Sequence, residues 1–212
     1  MKKFNRIEGL LVVIICVLAQ HSFILGNDIT AEISGVVFED INNNSKLDHG
    51  EKGIPGILVS NQYEIVKTNE NGSYILPIRN DETIIFLIKP SGYAVPLNEF
   101  NLPQFYYIHK PDGSDDLEFG GIQPTGGLPD NLNFPLYKTP VRDTFQVVIM
   151  ADPQTRTIEE VNYLRDDIAA ELIGSHALFG LALGDIMFDD LSLFGPYNEV
   201  MSMIGFPIYN VP

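Results

Sequence analysis

The chain has 212 residues, 45% of them hydrophobic, which is enough for one or two packed cores. Its formal net charge is −15. This acidity argues against proteins that bind nucleic acid, because they neutralise phosphates with clustered Lys and Arg. It fits a protein that holds divalent cations and, equally well, ordinary solubilising surface charge.

Residues 1–26 have the form of a secretory signal. Three basic residues among the first six precede an apolar stretch from Leu10 to Leu25. We therefore predict export to the periplasm, the cell surface or the medium. Two alternatives stay open: the segment is cleaved, or it remains as an anchor and is the only part of the chain in a membrane. Cys16, the only cysteine, lies in this segment, so a mature chain would have no thiol.

Residues 27–92 are predicted to form an all-β sandwich. Short stretches of alternating apolar and polar residues are separated by turns rich in Gly, Pro and Asn, as is typical of sandwiches. The predicted strands are 31–38, 57–60, 64–68, 73–78 and 83–89. Between two of them, Asn71 and Gly72 suit the positive-φ positions of a tight turn, which predicts a β-hairpin over 68–74.

The segment from Asp40 to Glu51 has the spacing of a twelve-residue calcium loop. Oxygen-bearing side chains occupy its first, third, fifth, ninth and twelfth positions, and the backbone carbonyl of Lys46 falls at the seventh. These candidate ligands are Asp40, Asn42, Asn44, Lys46, Asp48 and Glu51. Ser45 stands at the sixth position, where such loops prefer glycine. The alternative is a solvated turn, rich in Asn and Asp, that caps a strand.

Two different segments follow. Residues 93–142 are rich in Pro, Gly, Asn and aromatic residues, and we predict an ordered connecting segment. From residue 143 the pattern alternates between strand and helix, which is typical of an α/β domain. The predicted strands are 145–151, 178–183 and 206–212, with helices over 157–173 and 191–204.

Acidic residues follow two of these strands. Asp152 comes directly after the first, and Asp185 comes just after the second. Because neighbouring parallel strands end at the same edge of a sheet, their carboxylates can share a two-metal site. Gln154 can offer only its amide oxygen, a hard ligand suited to Mn²⁺ or Mg²⁺.

Residues 31–90 resemble the bacterial surface B-type repeat. The similarity lies in the order of Gly35-Val-Val-Phe-Glu-Asp40, Asn42–Asn44, Asp48–Ser60 and Thr68-Asn-Glu-Asn-Gly-Ser-Tyr74. This resemblance implies a calcium-associated, prealbumin-like β-sandwich.

Nearly the whole chain after the signal resembles the exported calcineurin-like metallophosphoesterases that carry an N-terminal β-sandwich. The stretches that carry this resemblance are 105–114, 124–129, Ala151-Asp-Pro-Gln154 and Leu183–Leu193. It implies an α+β multidomain protein, in which the prealbumin-like all-β sandwich is followed by the start of an α/β metallophosphoesterase domain over residues 143–212.

The resemblance also implies an activity, its cofactors and its residues. The expected reaction is metal-dependent hydrolysis of a small phosphoester or a phosphorylated surface component, with two divalent ions such as Mn, Mg, Fe or Zn. Asp152 would bind one metal and Asp185 would bridge both. Gln154 stands where the wider family has a histidine ligand. Asp189 would support the ligands or cap a helix.

The same resemblance implies that residues 143–212 lack some of the family's metal ligands. The family has a Gly-Asn-His-Asp/Glu motif after its third strand and further histidine ligands later. The expected catalytic histidine would lie beyond Pro212, so we predict an N-terminal fragment that is inactive alone. Its partner would be the remainder of its own catalytic domain. The alternative function is an extracytoplasmic calcium-binding surface or adhesion module without catalysis.

Overall fold

The computed structural model describes residues 31–78 and 82–211. They form a β-rich region over 31–138 and a region of parallel strands and helices over 146–211, called the parallel region below. The predicted signal at residues 1–26 lies outside the described residues. Among the residues that are described, no helix is both long enough and apolar enough to cross a membrane.

Eight strands make up the β-rich region, in two four-stranded sheets. The strands are β1 (Ala31–Glu39), β2 (Leu58–Ser60), β3 (Ile65–Lys67), β4 (Ser73–Ile78), β5 (Thr83–Ile88), β6 (Tyr93–Ala94), β7 (Tyr106–His109) and β8 (Phe134–Lys138). One sheet has the order β4-β1-β8-β6 and the other the order β3-β2-β5-β7. Residues of both sheets contribute to one apolar core.

The core of the β-rich region follows from the period of two along each strand. In β4, Tyr74, Leu76 and Ile78 are buried while the residues between them are more exposed. In β5, Ile85 and Leu87 are buried in the same alternation. A single sequence pattern thus predicts both the strands and the side chains that fill the core.

The predicted connecting segment, 93–142, contributes three strands that the sequence pattern did not reveal. β7 pairs antiparallel with β5, and β8 pairs parallel with β1 and antiparallel with β6. β8 contains Pro135, a residue that argues against a strand when only the sequence is considered. Phe134 and Leu136 of β8 are nevertheless buried in the shared core.

The predicted hairpin over 68–74 is wrong, because β3 and β4 lie in different sheets. The turn itself is present: the Gly72 N–H donates to the Asn69 carbonyl at 3.0 Å, and Gly72 has φ +75°. A Cβ at Gly72 would lie 2.5 Å from the Val37 carbonyl oxygen. The turn therefore passes close against β1 and directs the chain from one sheet into the other.

The parallel region contains three parallel strands in the order β11-β10-β9. These are β9 (Gln146–Ala151), β10 (Ala177–Leu183) and β11 (Ile208–Val211). One continuous helical segment joins β9 to β10 and comprises α1 (Ile158–Tyr163), a π-helical turn (Leu164–Ala169) and α2 (Ala170–Leu172). A 3₁₀ turn (Leu191–Leu193) and α3 (Phe194–Ser202) join β10 to β11.

The helices cover only one face of this sheet. Val148, Met150, Ala182 and Ile208 belong to the core shared with the helices. Residues paired across parallel strands share a face, so the register assigns the alternate residues to the opposite side. We call that side the open face; it is formed by Val147, Ile149, Phe179, Leu181, Leu183, Tyr209 and Val211.

The open face is apolar and largely accessible. Ile149 is 65% exposed, and Leu183 and Val211 are also exposed. Phe179 makes an edge contact with the Tyr209 ring at 5.8 Å between centroids. Apolar residues on both faces explain why these strands appear in the sequence as near-continuous hydrophobic runs.

A side-chain hydrogen bond joins the two regions. Asn101, in the loop between β6 and β7, donates from Nδ2 to the carbonyl oxygen of Ser202 at 2.9 Å. Ser202 is the last residue of α3, where backbone carbonyls have no partner within the helix. The Ser202 carbonyl also accepts from the Gly205 N–H at 3.2 Å, so the loop of the β-rich region adds a second donor to this carbonyl.

Candidate metal site at the strand ends

Asp152 and Asp185 follow the neighbouring strands β9 and β10 at the carboxyl edge of the parallel sheet. The Asp152 N–H donates to the Leu183 carbonyl at 2.9 Å, which extends the β9–β10 ladder by one residue. The Gln154 N–H donates to the Asp185 carbonyl at 2.7 Å. The two strand-end loops are therefore joined by backbone hydrogen bonds, and all three predicted site residues are brought together.

Gln154 also contacts Asp185 through its side chain. Its Nε2 donates to Asp185 Oδ2 at 2.9 Å. An ionised carboxylate only accepts hydrogen bonds, so the amide nitrogen must face it and the amide oxygen must point elsewhere. Oε1 is consequently the only atom of this side chain left for a metal ion.

The backbone at all three site residues has positive φ: +53° at Asp152, +36° at Gln154 and +20° at Asp185. Positive φ is uncommon for residues other than glycine and costs on the order of 1–3 kcal/mol each. Of the seven described non-glycine residues with positive φ, five lie in the two predicted sites: these three, and Asn43 and Ser45 in the predicted calcium loop. Such conformations cluster at functional sites.

The sequence did not reveal the contacts between the segments that follow Gln154 and Asp185. Thr155 and Met187 form an isolated parallel bridge, and the Phe188 N–H donates to the Thr155 carbonyl at 3.1 Å. The Arg156 guanidinium lies 4.5 Å from the centroid of the Phe188 ring. The only signal in the sequence is that these residues closely follow Gln154 and Asp185, and neither spacing marks a known motif.

Asp189 does not cap the following helical turn; its neighbour does. Asp190 Oδ1 accepts from the Ser192 N–H at 3.0 Å and from the Ser192 hydroxyl at 2.6 Å. Asp189 is exposed and makes no hydrogen bond or ion pair within residues 31–78 and 82–211. The other predicted role of Asp189, support of the metal ligands, stays a prediction.

The third strand contributes a polar pair near the same edge. The buried Tyr197 of α3 donates its hydroxyl to Asn210 Oδ1 at 3.1 Å, and burial raises the pKa of Tyr197 above its ordinary value. This contact fixes the side chain of Asn210, one residue before the end of β11. Its signal in the sequence is a lone Asn in an apolar strand.

The donor set at the strand ends suits a hard divalent ion, since two carboxylates and an amide oxygen are available. The set is small, however. Across residues 31–78 and 82–211, no group of three or more His, Cys, Asp and Glu side chains is close enough to hold a metal. By themselves, the described residues would supply only part of the ligands of a metal site.

The predicted calcium loop is compact and its start is buried. Asp40 is 3% exposed, and its Oδ2 accepts from the Ser45 N–H at 2.7 Å. Ser45 has φ +60°, the left-handed conformation for which calcium loops prefer glycine at this position. Ser45 therefore adopts the sharp turn despite its side chain.

The remaining oxygen-bearing side chains of the loop are turned toward one another. Asp48 Oδ2 accepts from Asn42 Nδ2 at 2.9 Å and from Asn44 Nδ2 at 2.7 Å, which lowers the pKa of Asp48. The two oxygens of Glu51 accept from the N–H groups of Ile41 and Asp48, each at 2.9 Å. Lys46 donates its N–H to Asn44 Oδ1 at 2.8 Å.

Residues 41–121 match a protein family described as the N-terminal region of calcineurin-like phosphoesterases. The match covers less than half of the 212-residue chain and falls on the β-rich region, from the candidate calcium loop to the segment after β7. No curated protein matches the chain. The match supports a phosphoesterase connection through the β-rich region, and the strand-end aspartates lie outside it.

Proposed function

We propose that this chain is part of a metal-dependent phosphoester hydrolase of the calcineurin-like class, with Asp152 and Asp185 as metal ligands. The observation that carries the proposal is the convergence of these two residues at one sheet edge, with the loops joined by the Gln154–Asp185 backbone hydrogen bond. The family match of residues 41–121 supports the same class from the other end of the chain.

Each described residue has a physical task in this proposal. The exposed carboxylates of Asp152 and Asp185 would hold divalent ions such as Mn²⁺ or Mg²⁺, or Fe or Zn, and Gln154 could add Oε1. Bound metal ions would lower the pKa of an attacking water and neutralise charge on the phosphoryl oxygens. Arg156, held against the Phe188 ring, provides a positive group near an edge otherwise rich in carboxylates.

The proposed substrate is a small phosphoester or a phosphorylated surface component rather than a nucleic acid. With a formal charge of −15 the chain has no excess of cations to follow a phosphate backbone. A small phosphoester needs only one positive group and the metals, which the proposed site would supply.

We also propose that the 212-residue chain is inactive by itself and needs further residues of its own catalytic domain. Two carboxylates and one amide do not complete a two-metal site, and the strand-end loops 152–157 and 184–190 contain no histidine to protonate a leaving group. The test is incubation of the purified chain with p-nitrophenyl phosphate and Mn²⁺. Hydrolysis that disappears in Asp152→Asn would contradict this proposal.

The metal site can be tested without any activity. Calorimetric titration of Mn²⁺ into the full chain, with the candidate calcium loop saturated by Ca²⁺, should detect binding at the strand ends. Asp152→Asn and Asp185→Asn should each weaken that binding by more than about tenfold, because each removes a charged ligand. Asp189→Asn is the matched control and should change it by less than about threefold. Equal affinities in all four proteins would exclude the site.

The second candidate function is an extracytoplasmic calcium-binding surface or adhesion module. The observation that favours it is the convergence of the Asn42 and Asn44 side chains on Asp48 and of two backbone N–H groups on Glu51, with the buried carboxylate of Asp40 at the loop's start. Calcium would have to replace these internal hydrogen bonds, and the Asn42 and Asn44 amides would turn their oxygens inward. The solvated turn remains the alternative, because the loop already satisfies its own polar groups.

A thermal shift experiment separates these possibilities. Calcium at millimolar concentration should raise the Tm of the β-rich region if the loop is a weak extracellular-type site. Asp48→Asn should abolish that shift, while Asp115→Asn, an exposed acidic residue outside the loop, should not. If calcium leaves the Tm unchanged, residues 40–51 form a solvated turn and not a calcium site.

The finer fold and the location of the protein belong to the same proposal. We propose that the β-rich region is a prealbumin-like sandwich, on the basis of its two four-stranded sheets around one core, and that the parallel region begins an α/β metallophosphoesterase domain. Residues 1–26 would direct export to the periplasm, the cell surface or the medium. N-terminal sequencing of the protein recovered outside the cytoplasm would show whether the segment is cleaved.

A further inference from the structure

We infer that Gln154 is a positioning residue that holds the Asp185 carboxylate, rather than a metal ligand; this inference rests on the proposed function of the same site. Gln154 is bonded to Asp185 twice, from its backbone N–H to the Asp185 carbonyl at 2.7 Å and from Nε2 to Oδ2 at 2.9 Å. Two bonds between the same pair of residues define a clamp, called the Gln154 clamp below.

The clamp explains why an amide is useful at this position. Asp185 lies in the loop after β10 with φ +20°, and its side chain makes no other hydrogen bond within the described residues. The Nε2–H group fixes one carboxylate oxygen of Asp185 by a charge-assisted hydrogen bond and leaves the other oxygen free to bind a metal ion. A carboxylate at position 154 could not do this, because it has no proton to donate at neutral pH.

The backbone at Gln154 supports the same role. Its φ of +36° is unfavourable for a residue with a side chain, yet it brings both the N–H and the amide group toward Asp185. Groups that orient a metal ligand through hydrogen bonds are worth about 10–100-fold in metal affinity. The inference therefore assigns to Gln154 an effect of that size, exerted through Asp185.

Two substitutions separate a clamp from a ligand. Gln154→Leu removes both the donor and the oxygen, whereas Gln154→Glu keeps an oxygen and loses only the donor. The clamp predicts that both weaken Mn²⁺ binding, measured by electron paramagnetic resonance at pH 7 with the calcium loop saturated, by about 10–100-fold. Affinity of Gln154→Glu equal to or tighter than that of the unsubstituted chain would overturn the inference, since an added carboxylate is a better ligand than an amide.

A second measurement needs no metal. In the metal-free chain, hydrogen exchange at the amide of residue 154 reports the backbone bond to the Asp185 carbonyl. Gln154→Leu and Gln154→Glu should each accelerate that exchange several-fold, and unchanged exchange in both would overturn the clamp. Gln123→Leu, at an exposed glutamine far along the chain, is the matched control and should leave exchange and affinity unchanged.

These readouts keep the clamp distinct from the metal proposal. If Asp152→Asn and Asp185→Asn leave Mn²⁺ binding unchanged, the proposed function fails, and the metal-free exchange still decides whether Gln154 holds Asp185. If the aspartate variants lose Mn²⁺ and the two Gln154 variants keep it, the function stands and the clamp is wrong.

Discussion

The β-rich region and the parallel region bury their apolar side chains in different ways. The β-rich region places one core between two sheets, and several of its core residues, including Val37, Leu76 and Leu136, are 0% exposed. The parallel region packs helices against one face of its sheet and leaves the open face in contact with solvent. A half-open pocket of about 440 Å³ also lies between β9 and the helices that pack on it. Native interiors are close-packed, so this region is the looser of the two.

The difference indicates that the candidate metal residues lie in the less well covered of the two regions. The close-packed β-rich region carries the family match, whereas the candidate metal residues belong to the region with an uncovered face. A sheet with one apolar face in contact with solvent gains less burial, and less-buried regions open more readily. We therefore expect the parallel region to unfold at lower denaturant concentration than the β-rich region.

The largest expected effect comes from truncating a core residue of the β-rich region, compared with an apolar residue on the open face of the parallel region. Leu76→Ala should reduce the free energy of unfolding of the β-rich region by about 2–5 kcal/mol, because it leaves a cavity in a closed core. Ile149→Ala, on the open face and 65% exposed, should change stability by less than about 0.5 kcal/mol. Urea unfolding followed by circular dichroism measures both. Similar losses in the two variants would mean that the open face is covered in solution.

A close backbone approach in the β-rich region gives the next effect. A Cβ at Gly35 would lie 1.8 Å from the Leu132 carbonyl oxygen, so Gly35→Ala must displace backbone and should cost about 1–3 kcal/mol. Gly127→Ala is the control, since nothing lies within 4 Å of its added Cβ. We expect the control to change the unfolding free energy by less than about 0.5 kcal/mol. If both variants unfold alike, the packing of Leu132 against β1 is wrong.

Alkaline pH should weaken both regions through one buried tyrosine in each. Burial raises the pKa of Tyr74 in β4 and of Tyr197 in α3. The neutral phenol is therefore favoured in the folded state, and this stability is complete below the unfolded pKa near 10. It is lost as the pH rises further, at about 1.4 kcal/mol per pH unit for each tyrosine. Unfolding free energies at pH 9 and pH 11 measure the loss. The same loss in a Tyr74→Phe, Tyr197→Phe double variant would contradict it.

The smallest effects come from the hydroxyl groups of the same two tyrosines at neutral pH. Tyr74 donates to the Leu132 carbonyl at 2.7 Å, and Tyr74→Phe should cost about 1 kcal/mol. Tyr197→Phe should cost less, because its hydrogen bond to Asn210 is longer, at 3.1 Å. Tyr63→Phe, at an exposed residue, should have no measurable effect. Equal costs for Tyr74→Phe and Tyr197→Phe would contradict this order.

Much of the fold could be predicted from local patterns. Strands β1 to β5 and β9 to β11 follow from apolar periodicity, and the helix start follows from Thr157, whose hydroxyl accepts from the Glu160 N–H at 3.3 Å. Strand β8 could not be predicted, because Pro135 is unfavourable in a strand. Its pairing with β1 joins residues almost a hundred positions apart, which no local pattern encodes.

The position of the two candidate aspartates could be predicted from the sequence. Parallel strands deliver their following residues to one edge, so Asp152 and Asp185 were expected to meet. The hydrogen bond from Gln154 to Asp185 was not predictable, since it depends on side-chain orientation across 31 residues of sequence. The π-helical turn at 164–169 was also missed, because its hydrogen-bond shift depends on tertiary packing and not on composition.

The Asn101–Ser202 hydrogen bond has a consequence for synthesis on the ribosome. Translation runs from the N-terminus, so strand β8, which ends at Lys138, completes the β-rich sheets before Ser202 leaves the exit tunnel. The donor of Asn101 is then already in place when the carbonyl of Ser202 emerges. The end of α3 therefore meets a partner that has already folded, so we expect the β-rich region to fold before the parallel region packs against it.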